Sequence, residues 1–582
     1  MDVNSDYLKV DLEKEGTKPS SDFKRTSFLC KIRRHFKSYC NHTSIHGFQY
    51  LGQNRTVFER CWWIIIFLCT VSACGYVIYL VYNKWWMTPV IVSLTTRDTP
   101  IYKVPFPAVT ICPTIKFKSK KINYSNFLKK LAEGEIRNIS VFEEEQYRLL
   151  DYMLPLCKPS LLPPFLMHES PTYTNEIYEA FLNYSPYVKN LRHSAKFMEE
   201  ELDFYSSFNP VLTDDGLCFS FNMLSTKDIY TDKMFIPDGY NTSGPKSYWI
   251  PQFGYSHKAA IETYPRRAMF SGAVNSLEII LAHRKTDIDF KCTGAEQGYK
   301  VILHLPTRVP RPTLEYDMAP FGKASVITVT PNMMTTSDPV KYYRPIDRDC
   351  FFQGEKNLKF FKIYSKTNCA LECLTNYTLE QCGCVAFFMP REASTPICGL
   401  SKLTCLDYAR KKYNLDNLES KLKESKKLQM SSEKINSTGQ NLTESTPKPR
   451  VKRSKDAFHN DGKHSNARCY CLRSCNDITY GSSSASVDYE WKQESIFGLL
   501  EAELEKNIDF SLISVYLDSN VIFTTERNEL YGPLDFLSNF GGLLGLFTGF
   551  SILSFMEILY FCSLRILGNR RLLGRWYGDI DE

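Results

Sequence analysis

The chain has 582 residues, with 71 Lys and Arg against 64 Asp and Glu, a net charge of +7, 14% aromatics and 20 cysteines. A 43% hydrophobic content is ample for a buried core and excludes a disordered or collagen-like chain. The mild basic excess falls short of the concentrated positive face of a nucleic-acid binder, so no nucleic-acid partner is expected. The placing of the apolar residues decides the class, because a mean hydropathy of −0.28 hides two long apolar segments near the two ends.

Residues 1–60 read as a cytosolic region, with Lys24, Arg25, Lys31, Arg33, Arg34 and Lys37 ahead of the first apolar segment. That segment, 61–83, is 23 residues without a charge, bounded by Arg60 and Lys84. About 20 residues cross the hydrocarbon of a bilayer. A cleavable signal peptide fits poorly, since the apolar run lies far from the first residue and exceeds the usual length.

Residues 84–535 then form one large outside region. It holds an even set of fourteen cysteines, which reads as seven disulfides in an oxidising compartment: Cys112, Cys157, Cys218, Cys292, Cys350, Cys369, Cys373, Cys382, Cys384, Cys398, Cys405, Cys469, Cys471 and Cys475. Zinc thiolates at Cys382-Gly383-Cys384 are disfavoured because no flanking His completes a site, and no metal is expected. Cys30, Cys40, Cys61, Cys69, Cys74 and Cys562 fall in cytosolic or membrane segments and should stay reduced. Seven N-x-Ser/Thr sequons lie outside, at Asn123, Asn138, Asn183, Asn241, Asn376, Asn436 and Asn441. Asn41 and Asn54 precede the first span, so this topology predicts that they carry no sugar.

Residues 95–350 mix β-type runs, such as Tyr299 to Leu305 and Ala324 to Thr330, with Pro- and Tyr-rich loops, which reads as α+β with much antiparallel strand. From 350 to 475 the cysteines become dense. The i,i+4 spacings of Cys369 to Cys373 and Cys471 to Cys475 each mark one face of a helix, and two such helices would form a disulfide ladder. Residues 406–468 are a polar, low-complexity insertion whose second half reads as disordered. In it, Arg450-Val451-Lys452-Arg453 has the form cleaved by secretory-pathway convertases, and equally that of a solvated basic run. Phe510 to Thr524 has strand composition and leads through Tyr531-Gly532-Pro533 into the second apolar segment, as a stiff lever would.

That segment, 536–564, has Glu557 as its only charge and reads as a tilted or broken span. Arg565, Arg570, Arg571 and Arg575 follow in the 565–582 tail and place it, like the N-terminal region, in the cytosol. Four glycines, Gly541, Gly542, Gly545 and Gly549, fall within nine positions. Close helix packing accounts for Gly541 and Gly545. A helix break at Gly549-Phe550-Ser551 would bare carbonyl and hydroxyl oxygens, tolerated at membrane depth only along a cavity and suited to replace the hydration shell of a hard monovalent cation. Glu557, costly at such depth, forms an acidic ring near an inner mouth if the chain oligomerises about an axis, or snorkels to the interface if it does not.

These residues resemble the degenerin, epithelial sodium channel and acid-sensing channel superfamily, and most of all its insect pickpocket branch. The resemblance rests on His46-Gly47, Phe106-Pro107-Ala108-Val109-Thr110-Ile111-Cys112, Gly216-Leu217-Cys218-Phe219-Ser220-Phe221-Asn222, the run from Cys469 to Asn476, and Gly541-Gly542 through Gly549-Phe550-Ser551 to Glu557, spread in family order over nearly the whole chain. It implies a plasma-membrane trimer, homomeric or mixed with related subunits, whose second spans line a pore with Gly549-Phe550-Ser551 as the sodium-selective constriction. It further implies that Ser538 matches the position where bulky side chains hold such channels open, that Gly545 matches the amiloride position, and that His46-Gly47 shapes the lower pore. The family pairing is Cys112 with Cys218, Cys350 with Cys475, Cys369 with Cys471, Cys373 with Cys469, Cys382 with Cys405 and Cys384 with Cys398, leaving Cys157 to Cys292. The segment Tyr342 to Asp349 departs from acid-sensing relatives in lacking their tryptophan, and ten scattered histidines do not favour a pH sensor.

The expected function is therefore a sodium-selective, amiloride-sensitive cation channel subunit, opened by an outside ligand, force, acid or protease, with membrane lipids around it, no cofactor, and Na⁺ as the permeant ion. A non-conducting or obligate heteromeric subunit is the alternative within this class, and a two-span scavenger-type lipid receptor the alternative outside it. No H-E-x-x-H, phosphate-binding loop or nucleophile elbow is present, so no enzyme is expected.

Overall fold

The computed structural model describes residues 28–53, 55–95, 98–133, 148–162, 172–185, 194–240, 242, 244–260, 262–437, 469–493 and 507–573. Contacts divide the chain into two units, Met1–Pro89 with Glu529–Glu582, and Val90–Asn528.

The first unit opens with α1 (Phe28–His42) and the 31-residue α2 (Val57–Met87). The Thr56 hydroxyl accepts from Glu59 N, and the Glu59 carboxylate accepts from Thr56 N, which satisfies two of the free amides at the start of α2. This box starts the helix four residues before the expected 61–83, and its last turn runs on to Met87. The apolar side chains Trp62, Ile65, Leu68 and Tyr76 stand exposed, as on a helix whose solvent is lipid. Among the described residues, two helical stretches are long and apolar enough to cross a membrane, α2 and Ile552–Arg571.

The second unit is built on two sheets. Its strands are β1 (Val90–Leu94), β2 (Ala108–Pro113), β3 (Ser194–Phe197), β4 (Glu200–Leu202), β5 (Phe208–Thr213), β6 (Gly216–Phe221), β7 (Leu277–Arg284), β8 (Gly298–His304), β9 (Asp317–Pro320), β10 (Lys323–Thr336), β11 (Asp477–Asp488), β12 (Ile508–Leu517) and β13 (Thr524–Glu529). The larger sheet runs β1-β13-β10-β12-β7-β3-β4, with β11 also paired to β10; the smaller runs β9-β8-β2-β6-β5. The larger sheet is mixed rather than antiparallel throughout, because β10 lies parallel to both β12 and β13. Alternate residues of its central strands, Leu277 and Ile279, Ile327 and Val329, Ile513 and Val515, are almost wholly buried in the main core.

Helices α3 (Lys366–Cys382) and α4 (Leu403–Ser437) follow β10 in the chain. The Ser365 hydroxyl accepts from Asn368 N to start α3, and Gly383, at φ +72°, ends it. The cysteines join as Cys112–Cys218, Cys157–Cys292, Cys350–Cys475, Cys369–Cys471, Cys373–Cys469, Cys382–Cys405 and Cys384–Cys398. Six of these are the pairs that the resemblance implied, and the seventh joins the two cysteines left over, Cys157 and Cys292. The ladder is not made by two helices: Cys369 and Cys373 lie on α3, but the segment from Cys469 to Cys475 is extended, with Arg473–Ser474 paired to Cys350–Phe351. Four residues of helix rise about 6 Å, close to the span of two extended residues, so Cys369 and Cys373 match Cys471 and Cys469. The sulfurs of Cys369, Cys373 and Cys471 lie close enough to suggest a metal site, but disulfides consume all three.

The insertion at 406–468 is in part ordered. Residues up to Ser437 continue α4, with i,i+4 ion pairs Asp407–Lys411 at 2.6 Å and Glu419–Lys423 at 3.3 Å. The expected disorder of the second half, together with Asn441, Arg450 and Arg453, falls on residues outside those described.

Candidate functional site: a broken helix closed by a His-Gly loop

In the first unit the second apolar segment is two helices. The first, α5 (Pro533–Thr548), starts at Gly532, whose amide donates to the Asp535 carboxylate at 3.1 Å. It ends at Gly549, where φ is +68°, a conformation that costs an L side chain about 1–2 kcal/mol. After Phe550, Ser551 begins α6 (Ile552–Leu559): its hydroxyl accepts from Ser554 N at 3.2 Å, while its own amide donates to the Ser554 hydroxyl at 3.1 Å. Glycine as a stop and serine as a start thus interrupt the expected single span 536–564 for three residues. Beyond α6 a π-turn, Tyr560–Leu564, leads into the helix Arg565–Leu573.

The His46-Gly47 loop closes on this break. The His46 amide donates to the Thr548 carbonyl at 3.0 Å, taking up one of the oxygens freed at the end of α5. A Cβ at Gly549 would lie 2.7 Å from His46 Cδ2, so the imidazole fills the space that glycine leaves. Gly47, at φ +86°, turns the chain away toward α2. On the other side of the break, Glu557 Oε2 accepts from Ser44 N at 3.0 Å, the Ser44 hydroxyl at 3.2 Å and the Thr43 hydroxyl at 3.3 Å, and the Ser44 and Ser554 hydroxyls lie 2.7 Å apart. One short stretch, Thr43 to His46, therefore joins both helices across the interruption. Helix α1 adds a further tie: His35 Nε2 lies 2.9 Å from the Phe561 carbonyl in the π-turn, and Arg565 stacks on the Phe561 ring and donates to Ser38.

Of the residues selected from sequence, His46, Gly549, Ser551 and Glu557 come together here. Ser538 and Gly545 sit on α5, Ser538 exposed and Gly545 with open space where a Cβ would lie, as have Gly541 and Gly542. Helix α5 packs on α2 through Trp85 against Phe536, ring centroids 5.2 Å apart, and Cys74 Sγ, 3.8 Å from the Leu543 carbonyl. Thr43, Ser44 and Ser554 escaped the sequence reading. Their only signal is the run of small hydroxyl residues before His46 and the Ser551-x-x-Ser554 spacing of a helix start.

In the second unit, Asn123, Asn183 and Asn376 are exposed, as sugar acceptors must be. Asn138 and Asn241, and the side chain of Asn436, lie outside what is described.

The sequence profile of the family described as amiloride-sensitive sodium channel matches residues 39–561, and the chain belongs to that family. It is a family of ion channels, not enzymes. Among curated relatives, Pickpocket protein 28 of Drosophila melanogaster is 25% identical over 559 residues, 92% of this chain and 79% of the relative. The Sodium channel protein Nach of the same species is 23% identical over 96% of this chain and 92% of its own length. Acid-sensing ion channel 2 of Homo sapiens is 22% identical over 78% of this chain and 71% of its own. A family match over most of the chain leaves the scavenger-type receptor without support.

Proposed function

We propose that the chain is a subunit of a sodium-selective, amiloride-sensitive trimeric channel of the plasma membrane, with both termini cytosolic and residues 84–535 outside. The observation that carries this reading is the helix break at Gly549-Phe550-Ser551, which places carbonyl and hydroxyl oxygens inside an otherwise apolar segment. Three copies of α5 around an axis give the open glycine face of Gly541, Gly542 and Gly545 a neighbour to pack against, and set three Glu557 carboxylates at the lower mouth, where they attract cations. An outside ligand, force, proton or protease acts on the disulfide-braced second unit, and β13, four residues before Pro533, carries the displacement to α5.

The test is whole-cell current from this chain expressed alone, wild type beside Ser538→Val, in sodium and then potassium, with and without amiloride. Sodium-selective, amiloride-blocked current in Ser538→Val supports a homomeric channel. Silence at normal surface expression points to a subunit that conducts only with relatives, and equal sodium and potassium currents remove the selectivity claim.

A further inference from the structure

A cavity of about 430 Å³ opens in the second unit between the turn that joins β5 to β6, strand β8, and the starts of α4 and the segment after α3. This is the size of a small-molecule site. One wall is charged. Asp214 and Asp215, adjacent in the β5–β6 turn, each hold a cation: Asp214 accepts from Arg311 Nε at 2.7 Å, and Asp215 accepts from Lys300 at 2.8 Å and Lys116 at 2.9 Å. Neighbouring residues of one turn thus hold three basic side chains, Lys116, Lys300 and Arg311, on the same cavity.

The charges on this wall do not balance. Asp215 serves two ammonium groups, and Asp214 is already engaged by Thr313 through its amide and hydroxyl. Lys116 spends its three protons on the Pro113 carbonyl, the Asp215 carbonyl and the Asp215 carboxylate. Burial pulls its ammonium below the usual lysine range despite the Asp215 charge. Lys300, by contrast, makes one hydrogen bond, and Arg311 uses only Nε, so their remaining N–H groups have no protein acceptor among the described residues. Both side chains are 15% exposed or less, and these spare N–H groups face the open space of the cavity, where an anionic ligand can accept from them. The rest of the lining is mostly apolar, beside the Lys158–Glu296 and Asp407–Arg410 ion pairs. Arg311 stacks over Phe388, Lys300 lies over Tyr316, and Phe387, Met389, Leu374 and Leu406 continue the lining.

We propose that this cavity binds an amphiphilic organic anion, its acidic head on Lys300 and Arg311 and its apolar body on Phe387, Phe388 and Met389. The excess of cations selects the head, because a carboxylate there supplies the missing acceptors, while a neutral amide supplies one carbonyl and brings two donors. The apolar wall selects the body. Leu403, Leu406 and Arg410 bring the first turns of α4 to the same cavity, so a bound anion also fixes the start of that helix.

The test is calorimetric titration of the purified full chain in lipid nanodiscs with phenylbutyrate and with its neutral isostere phenylbutyramide. The carboxylate binds, and the amide binds about tenfold or more weaker. Lys300→Met and Arg311→Gln each weaken the carboxylate by about tenfold or more and leave the amide unchanged, whereas Lys300→Arg keeps carboxylate affinity within about threefold. Equal binding of acid and amide, no binding of either, or wild-type affinity in Lys300→Met overturns the proposal. Should Arg311→Gln fail to fold, Lys300→Met and the comparison of the two ligands on the wild type decide. Binding is read without current, so a chain that binds phenylbutyrate but stays silent, expressed alone and with related subunits, removes the conducting role and leaves this inference standing.

Discussion

Gly549→Ala tests whether the His46-Gly47 loop is held by the absence of a side chain at the helix break. The added methyl would lie 2.7 Å from His46 Cδ2 and 2.8 Å from Cγ and Nε2, well inside contact distance, so the imidazole must leave. With it goes the 3.0 Å hydrogen bond from His46 N to Thr548 O, worth about 1 kcal/mol, and the packing of the ring on the backbone, worth about 1 kcal/mol more. The closed state of the loop is then weakened by about 2 kcal/mol, or about thirtyfold in its opening equilibrium. Hydrogen exchange of the His46 amide, followed by mass spectrometry on the peptide spanning residues 43–48, should accelerate by that factor. The additional 1–2 kcal/mol for a left-handed alanine falls on the break itself and does not open the loop. In a His46→Ala background the clashing ring atoms are gone, and Gly549→Ala should change the exchange rate less than about threefold. Equal acceleration in both backgrounds, or none in either, would show that the ring does not sense position 549.

Glu557→Ala removes the acceptor of three hydrogen bonds from Thr43 and Ser44, so exchange at the Ser44 amide should rise, and under the proposed channel reading single-channel sodium conductance should fall with the loss of the carboxylate from each subunit. Replacing both Cys369 and Cys471 by serine should cost about 2–3 kcal/mol, measured as earlier protease cleavage of the second unit on heating. Burial pushes His283 and His304 down to about 4, so both are neutral in the folded protein at pH 7. Because the unfolded chain takes up these protons first, stability should be full above about pH 6.5 and fall as pH drops toward 4, a melting-temperature slope that His283→Leu makes shallower. Peptide N-glycosidase should shift the mass of peptides holding Asn123, Asn183 and Asn376 and leave those with Asn41 and Asn54 unchanged; sugar at Asn41 would reverse the orientation.

The elements that could be read from the chain are those with a local cause. Glycine at 549 and serine at 551 are a helix stop and a helix start wherever they fall, and they interrupt α5 and α6 as that chemistry requires. The β-type runs at Tyr299 to Leu305 and Ala324 to Thr330 likewise fall on the strands Gly298–His304 and Lys323–Thr336. What escaped depends on partners far away in sequence. The i,i+4 spacing of Cys471 and Cys475 imitates a helix, but Cys475 pairs with Cys350 while Cys471 pairs with α3, and only an extended chain reaches both. The lysine-rich run after Cys405 is helical because Leu406, Ala409 and Tyr413 pack its first turns on the core, its start is anchored by the Cys382–Cys405 disulfide, and Asp407–Lys411 and Glu419–Lys423 pair along its side. The hydrogen bonds from Thr43 and Ser44 span more than 500 positions, and no local pattern announces them.

The second unit begins with β1 and ends with β13, and these two strands are neighbours in one sheet, with Thr95 N donating to Thr524 O at 2.9 Å. Some 430 residues of chain thus leave and return through a doorway two strands wide. A module hung this way can be exchanged whole: its interior can lengthen, gain helices or change its surface while the spacing of the two strands stays fixed. Under the proposed function, grafting residues 90–528 of this chain between the spans of a relative is expected to carry its response across while the relative's spans stay as they are.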